Sequence, residues 1–206
     1  MIHYLGVGLL LGLSAGLSPG PLTTLVISET LMHDVRAGVK VALAPLITDF
    51  PIVVLSVFIL SRLSGFNTVL GLISFVGGAV VLMMGVKGMK VKPGDAQSAA
   101  RPSRSFSKGI LVNFLSPHPY LFWLSVGAPK MTEAWRASGP VSPALFLAGF
   151  YLLLIGSKVG LAVLAGKFKS VLSGPLYLFT MRFLGGLLCL LALVLFKDGL
   201  VMLNIL

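Results

Sequence analysis

The chain has 206 residues, is 56% hydrophobic and only 11% charged, and carries a formal net charge of +10 with a mean hydropathy of +1.00. A water-soluble domain is about one-quarter charged, because its surface must be coated; this composition excludes one and leaves lipid as the solvent for the apolar surface. The basic excess needs no nucleic acid, since cytoplasmic loops of membrane proteins carry it as a topology signal facing anionic lipid.

Residues 4–28 contain no charge. A helix rising about 1.5 Å per residue needs roughly 20 apolar residues to cross the hydrocarbon core, so a first span is expected over 5–28. No Lys or Arg precedes this run and no A-x-A site follows it, which reads as a retained span rather than a cleaved signal. Within it stand Leu17, Ser18, Pro19, Gly20 and Pro21. Proline lacks a backbone N–H and clashes with the preceding turn, so P-x-P breaks or strongly kinks a helix. Glu29, Asp34 and Arg36 follow at the end of this span and are expected to be solvated.

The second span is expected over 38–60, with Thr48 and Asp49 between Pro45 and Pro51. A carboxylate there costs several kcal/mol unless paired or protonated, which makes it a functional candidate. The third span falls over 68–88, where Gly77 and Gly78 read as helix-packing points, as do Gly185 and Gly186 later. Residues 89–106, with Pro93, Gly94 and Pro102, read as a basic linker. The fourth span, 107–128, carries Asn113, Ser116, Pro117, His118 and Pro119. Asn113 reads equally as a partner of the broken backbone or as a ligand. His118 either titrates in a cavity or is an ordinary residue between two prolines. Residues 129–142 form a longer connection, with Trp135 as an interfacial anchor. The fifth span, 143–166, contains Lys158, and the sixth, 178–197, contains Arg182, which reads as snorkelling to the interface. Cys189 is the single cysteine, so no disulfide forms within the chain.

Helices rather than a barrel follow from the continuous apolar runs. With the amino terminus on one side, the opposite side collects Arg36, Lys40, the basic linker, Lys167 and Lys169, a total of 10 basic residues against four. The positive-inside rule makes that richer side cytoplasmic, with both termini outside and the 89–106 loop inside.

Two segments repeat. Leu17-Ser18-Pro19-Gly20-Pro21 is echoed 98 positions on by Leu115-Ser116-Pro117-His118-Pro119, and Phe75, Gly77 and Gly78 are echoed 108 positions on by Phe183, Gly185 and Gly186. Three spans per repeat force the second half to enter the membrane inverted, the plan of many secondary transporters with a mid-membrane site. The expected fold is an all-α membrane protein of six transmembrane helices in two inverted three-helix repeats. Its first and fourth helices are broken by proline, with 1–88 the first repeat, 89–106 the linker and 107–206 the second repeat. Lys158 follows Asp49 by 109 positions, a nearly equivalent place, so the two can approach near mid-membrane. The alternatives are a static ion pair, or a Lys158 that snorkels and pairs with nothing.

In the functional reading Asp49 takes a substrate ammonium or a coupling proton and Lys158 takes a substrate carboxylate, a match for a zwitterion. No HExxH, GxSxG, P-loop or paired-cysteine motif is present, and no His/Asp/Glu cluster has ligand spacing. Accordingly no enzyme activity, metal or cofactor is expected. The partners expected are a small-molecule substrate, a coupling ion read as a proton, and the bilayer; a homodimer stays open. A metal or inorganic-ion transporter, a membrane enzyme and a structural subunit are the rival readings.

The run Gly16, Leu17, Ser18, Pro19, Gly20, Pro21, followed by Ala37-Gly38 and Asp49, resembles the amino-terminal signature of the lysine exporter (LysE/RhtB) family. Phe106, Gly109, Asn113 and Pro117 resemble its fourth-span signature, with Ser116 where asparagine is usual. The resemblance covers nearly the whole chain and implies a prokaryotic inner-membrane exporter of amino acids or related metabolites, driven by ion gradients. It implies Pro19, Gly20, Pro21, Asp49, Asn113 and Pro117 as the site, to which His118 and Lys158 are added here. Leu22, Pro45 and His118 depart from the pattern, so the resemblance does not carry lysine over as the substrate.

Overall fold

A computed structural model describes residues 2–59, 66–90, 104–169 and 174–203. Ten α-helices are present among the described residues: α1 Ile2–Leu17, α2 Pro21–Met32, α3 Val35–Ala42, α4 Ala44–Ile59, α5 Phe66–Met89, α6 Ser105–Phe114, α7 Pro117–Phe122, α8 Ala128–Ser138, α9 Val141–Phe168 and α10 Gly174–Met202. A π-helical turn, Trp123–Gly127, joins α7 to α8.

The proline signatures break the chain where expected. Gly20 and Ser116, each directly before a proline, are extended, at φ −173°, ψ 175° and φ −95°, ψ 135°. A following proline disfavours the helical region for the residue before it. α1 and α2 consequently meet at 63° across residues 18–20. Pro119 does not break α7 again, because it lies in the first turn, whose N–H groups have no helical acceptor.

Four described helical stretches are long and apolar enough to cross a bilayer: Val35–Ser56, Gly71–Met89, Val141–Phe168 and Pro175–Met202. The bent α1–α2 pair makes a fifth. The expected fourth span, 107–128, does not form one such helix. It is the 10-residue α6, a break, the 6-residue α7 and the π turn. Residues 129–142, expected as a connection, are largely helix α8 and carry the exposed Trp135. The expected linker 89–106 lies mostly outside the described residues.

α5 packs along α10, α1 along α9, and α3 and α4 against α6. Gly8, Gly12 and Gly16 of α1 sit against Phe146, Phe150 and Leu154 of α9, so closely that a Cβ would strike the Phe146 carbonyl, the Phe150 carbonyl and the Ser157 hydroxyl. Small residues four apart let backbones approach where lipid gives no hydrophobic drive between helices. Of the four glycines expected at packing points, Gly77 faces the Leu115 carbonyl at the second break, Gly78 the Phe196 ring, and Gly185 the backbone of Gly85 and Met89, whereas Gly186 faces open space. Leu10, Phe50, Leu152, Phe179 and Leu193 are exposed on the outside of the bundle, as a lipid-facing surface requires. Replacing Gly12 by Ala should cost about 1–3 kcal/mol through overpacking against the Phe150 backbone. A drop in the detergent-solubilised melting temperature measures it, with Gly186→Ala as the control that should leave the temperature unchanged.

Candidate functional site

The breaks leave carbonyls at membrane depth without helical partners, and the structure supplies partners for them. At the end of α1, the Thr23 hydroxyl donates to the Ser18 carbonyl (3.0 Å), and Lys158 Nζ to the Gly16 carbonyl (3.2 Å) and Thr23 Oγ1 (2.8 Å), while the Ser14 carbonyl keeps its helical bond from the Ser18 N–H and accepts from the Ser18 hydroxyl as well (2.9 Å). At the end of α6, the Tyr120 hydroxyl donates to the Phe114 carbonyl (3.0 Å). An ammonium at a helix carboxyl end also meets the negative pole of its dipole. Lys158 is buried on α9, and two of its three donors are taken by these bonds. It therefore does not snorkel.

Asp49 of α4 is also buried. Its Oδ1 accepts from Asn113 Nδ2 at 2.9 Å and from the Thr48 hydroxyl at 3.4 Å, and its Oδ2 accepts from Trp123 Nε1 at 3.4 Å. The Tyr151 hydroxyl faces the same carboxylate. Asn113 Nδ2 also donates to Thr48 Oγ1 at 2.6 Å, so its amide serves the Asp49 pair and not the broken backbone. These partners of Asp49 are neutral. Among the described ion pairs none involves Asp49 or Lys158, so the static pair between them is absent.

Both charges line one cavity of about 540 Å³. Pro19, Gly20 and Pro21 at the first break, together with Asn113 and the exposed His118 at the second, line it too. Pro117 is buried behind the break and is not part of the wall. The cavity meets α2 only at its first turn and α6 only at its last, so it lies on the far side of both breaks from the basic end.

Trp123 and Thr23, which bond to Asp49 and Lys158 in the cavity wall, are the neighbours that sequence reading missed. Trp123 opens the π turn, a geometry frequent at functional sites. Its ring lies over Gly127, where a Cβ would collide with it.

The basic end of the bundle is shut. Leu25 and Val26 of α2, Val41 of α3, Val112 of α6 and Ala162 of α9 form one buried cluster. Beyond it Glu29, expected to be solvated, is only 2% exposed. Its carboxylate accepts from Ser105 Oγ and from Lys108 Nζ, each at 2.5 Å, with His33 Nε2 at 3.8 Å. Helices α2 and α6 are tied together, and a buried carboxylate with such partners is no longer a solvated end charge. Asp34 and Arg36 are exposed as expected, and Asp34 caps α3 by accepting from the Ala37 N–H at 2.7 Å. The Lys169 ammonium donates to the His33 carbonyl at the end of α2.

The family model described as LysE type translocator matches residues 13–199. The chain belongs to the LysE type translocator family. Membership, with the apolar helices described above, makes it a multi-pass membrane protein of a transporter family. No curated protein and no solved structure matches the chain. In this LysE-type chain the residues of the first signature, Pro19 to Pro21, and Asp49 converge with Asn113 on a single cavity.

Proposed function

We propose that the chain exports small zwitterionic metabolites, amino acids foremost, from the cytoplasm across a prokaryotic inner membrane. The observation that carries this reading is a cavity walled by a carboxylate with neutral partners and an ammonium that has no acidic partner among the described residues. Opposite charges held apart leave both free to bind the two ends of a zwitterion. The ammonium of the substrate takes Asp49, and its carboxylate takes Lys158 beside the amino-terminal turn of α2, where the helix dipole favours an anion. Asp49 is the one carboxylate among the described residues of the wall, and a coupling proton would exchange there with the substrate ammonium.

The halves work by alternating access. Support for an inverted repeat comes from the pairings: α5 lies on α10, and the contact of α1 with α9 has its counterpart in the contact of α3 and α4 with α6. Positive-inside orientation places the sealed basic end in the cytoplasm, so this state faces outward. Opening inward separates α2 from α6 and breaks the Glu29–Lys108 tie. A metal cargo is disfavoured, because among the described residues no three His, Cys, Asp or Glu side chains converge.

Counterflow in proteoliposomes tests the reading. Vesicles loaded with a mixture of unlabelled amino acids should accumulate labelled amino acid transiently. No accumulation of any amino acid between pH 5 and 8 would refute it.

A further inference from the structure

The polar groups of the cavity gather at the helix breaks, and the rest of its wall is apolar. Leu11 and Ala15 of α1, Phe122 and Val126 around the π turn, and Phe150 and Leu154 of α9 provide it. The aromatic part is braced. Phe122 stacks on Phe150 with ring centroids 4.9 Å apart and planes at 16°, and Trp123 stands edge-on to Phe150 at 5.2 Å and 69°. Phe146, stacked behind Phe150 at 6.3 Å, is fully buried. The same Trp123 that donates to Asp49 thus belongs to the apolar wall, so the carboxylate and the aromatic surface are held by one side chain.

We infer that this wall is a side-chain subsite that selects amino acids with neutral, apolar side chains of leucine to phenylalanine size and rejects cationic ones. The inference rests on the zwitterion reading above. Once the α-ammonium has taken Asp49, the wall offers no second carboxylate among the described residues, whose other ionisable groups there are Lys158 and His118. A lysine or arginine side chain would be desolvated with no partner and would share the cavity with the Lys158 charge, and an unpaired buried cation is heavily penalised. An apolar side chain instead replaces water on an aromatic surface, where each added methylene gives about tenfold or more in selectivity. The cavity volume of about 540 Å³ falls within the usual range for small-molecule sites, room for more than glycine or alanine.

Counterflow of labelled leucine, phenylalanine, alanine and lysine, measured separately, decides it. Leucine and phenylalanine should exchange at least about tenfold faster than lysine and faster than alanine. Ala15→Phe, which fills the subsite, should shift preference towards alanine, and Leu11→Asp, which supplies a counter-charge, should raise lysine relative to leucine about tenfold. Because a filled or charged cavity can compromise folding, ligand binding is read separately. With Trp135→Phe, Trp123 is the one tryptophan of the two left, and its fluorescence in detergent should respond to leucine and not to lysine. Lysine exchanging as fast as leucine, or a tryptophan response to lysine and not to leucine, overturns the subsite while leaving zwitterion transport standing. Failure of every amino acid to exchange overturns the transport reading and the subsite with it.

Discussion

Asp49→Asn should abolish amino-acid counterflow while leaving the protein folded. The substitution keeps the volume of the side chain and, through its one carbonyl oxygen, the contacts with Thr48 and Asn113; it gives up only the long 3.4 Å bond from Trp123 Nε1, because an amide nitrogen does not accept. It removes the negative charge that the ammonium requires. Truncating one member of a desolvated, hydrogen-bonded charge pair costs about 2–5 kcal/mol, which corresponds to a loss of at least about 30-fold in exchange at subsaturating substrate. Lys158→Met should be similarly damaging for transport but should also destabilise the fold, because it deprives the Gly16 carbonyl and Thr23 of a donor. An unpaired carbonyl in a buried site costs about 1–3 kcal/mol. The two variants therefore differ in their melting temperatures and agree in transport. Asp49→Asn with full transport at every pH would remove the carboxylate from the mechanism.

What the sequence revealed and what it hid follow from the range of the interactions. The breaks were legible because the geometry before proline is local, and Gly20 and Ser116 adopt the extended backbone that the next residue imposes. Asp49 and Lys158 were legible because a charge in an apolar run is costly wherever it points. Their partners were not. Trp123 is 74 positions from Asp49, and Lys158 reaches Thr23 across 135, so only the folded bundle joins them. Glu29 misled for the same reason: at the end of a span it reads as a solvated charge, and its counter-ion lies 79 positions away. The break in the fourth span was legible in the same way as the first, but not how short the pieces beside it are, the 10-residue α6 and the 6-residue α7. The spacing of Gly8, Gly12 and Gly16 was in plain view, and its signal, small residues four apart on one helix, marks the α1–α9 contact.

Glu29→Gln should open the basic end. In the structure the Glu29 carboxylate is buried between Ser105 and Lys108, and the Lys108 side chain itself is 37% exposed. The interaction is worth less than a fully buried pair, because solvent screens the ammonium, so its loss is placed at about 1–3 kcal/mol. About 1.4 kcal/mol shifts a two-state population tenfold, and the closed state should lose roughly that factor against the inward-open one. Cysteine accessibility measures the shift. Leu22 lines the cavity and also belongs to the apolar seal, so Leu22→Cys in a Cys189→Ser background should react with an impermeant maleimide from the non-basic face alone. Adding Glu29→Gln should make it react from the basic face as well. Exchanging the two charges, Glu29→Lys with Lys108→Glu, should restore the one-sided pattern if the tie acts by attraction between the halves. Labelling that stays one-sided with Glu29→Gln would mean that the apolar cluster closes this end alone, and the ion pair would then serve folding rather than the transport cycle.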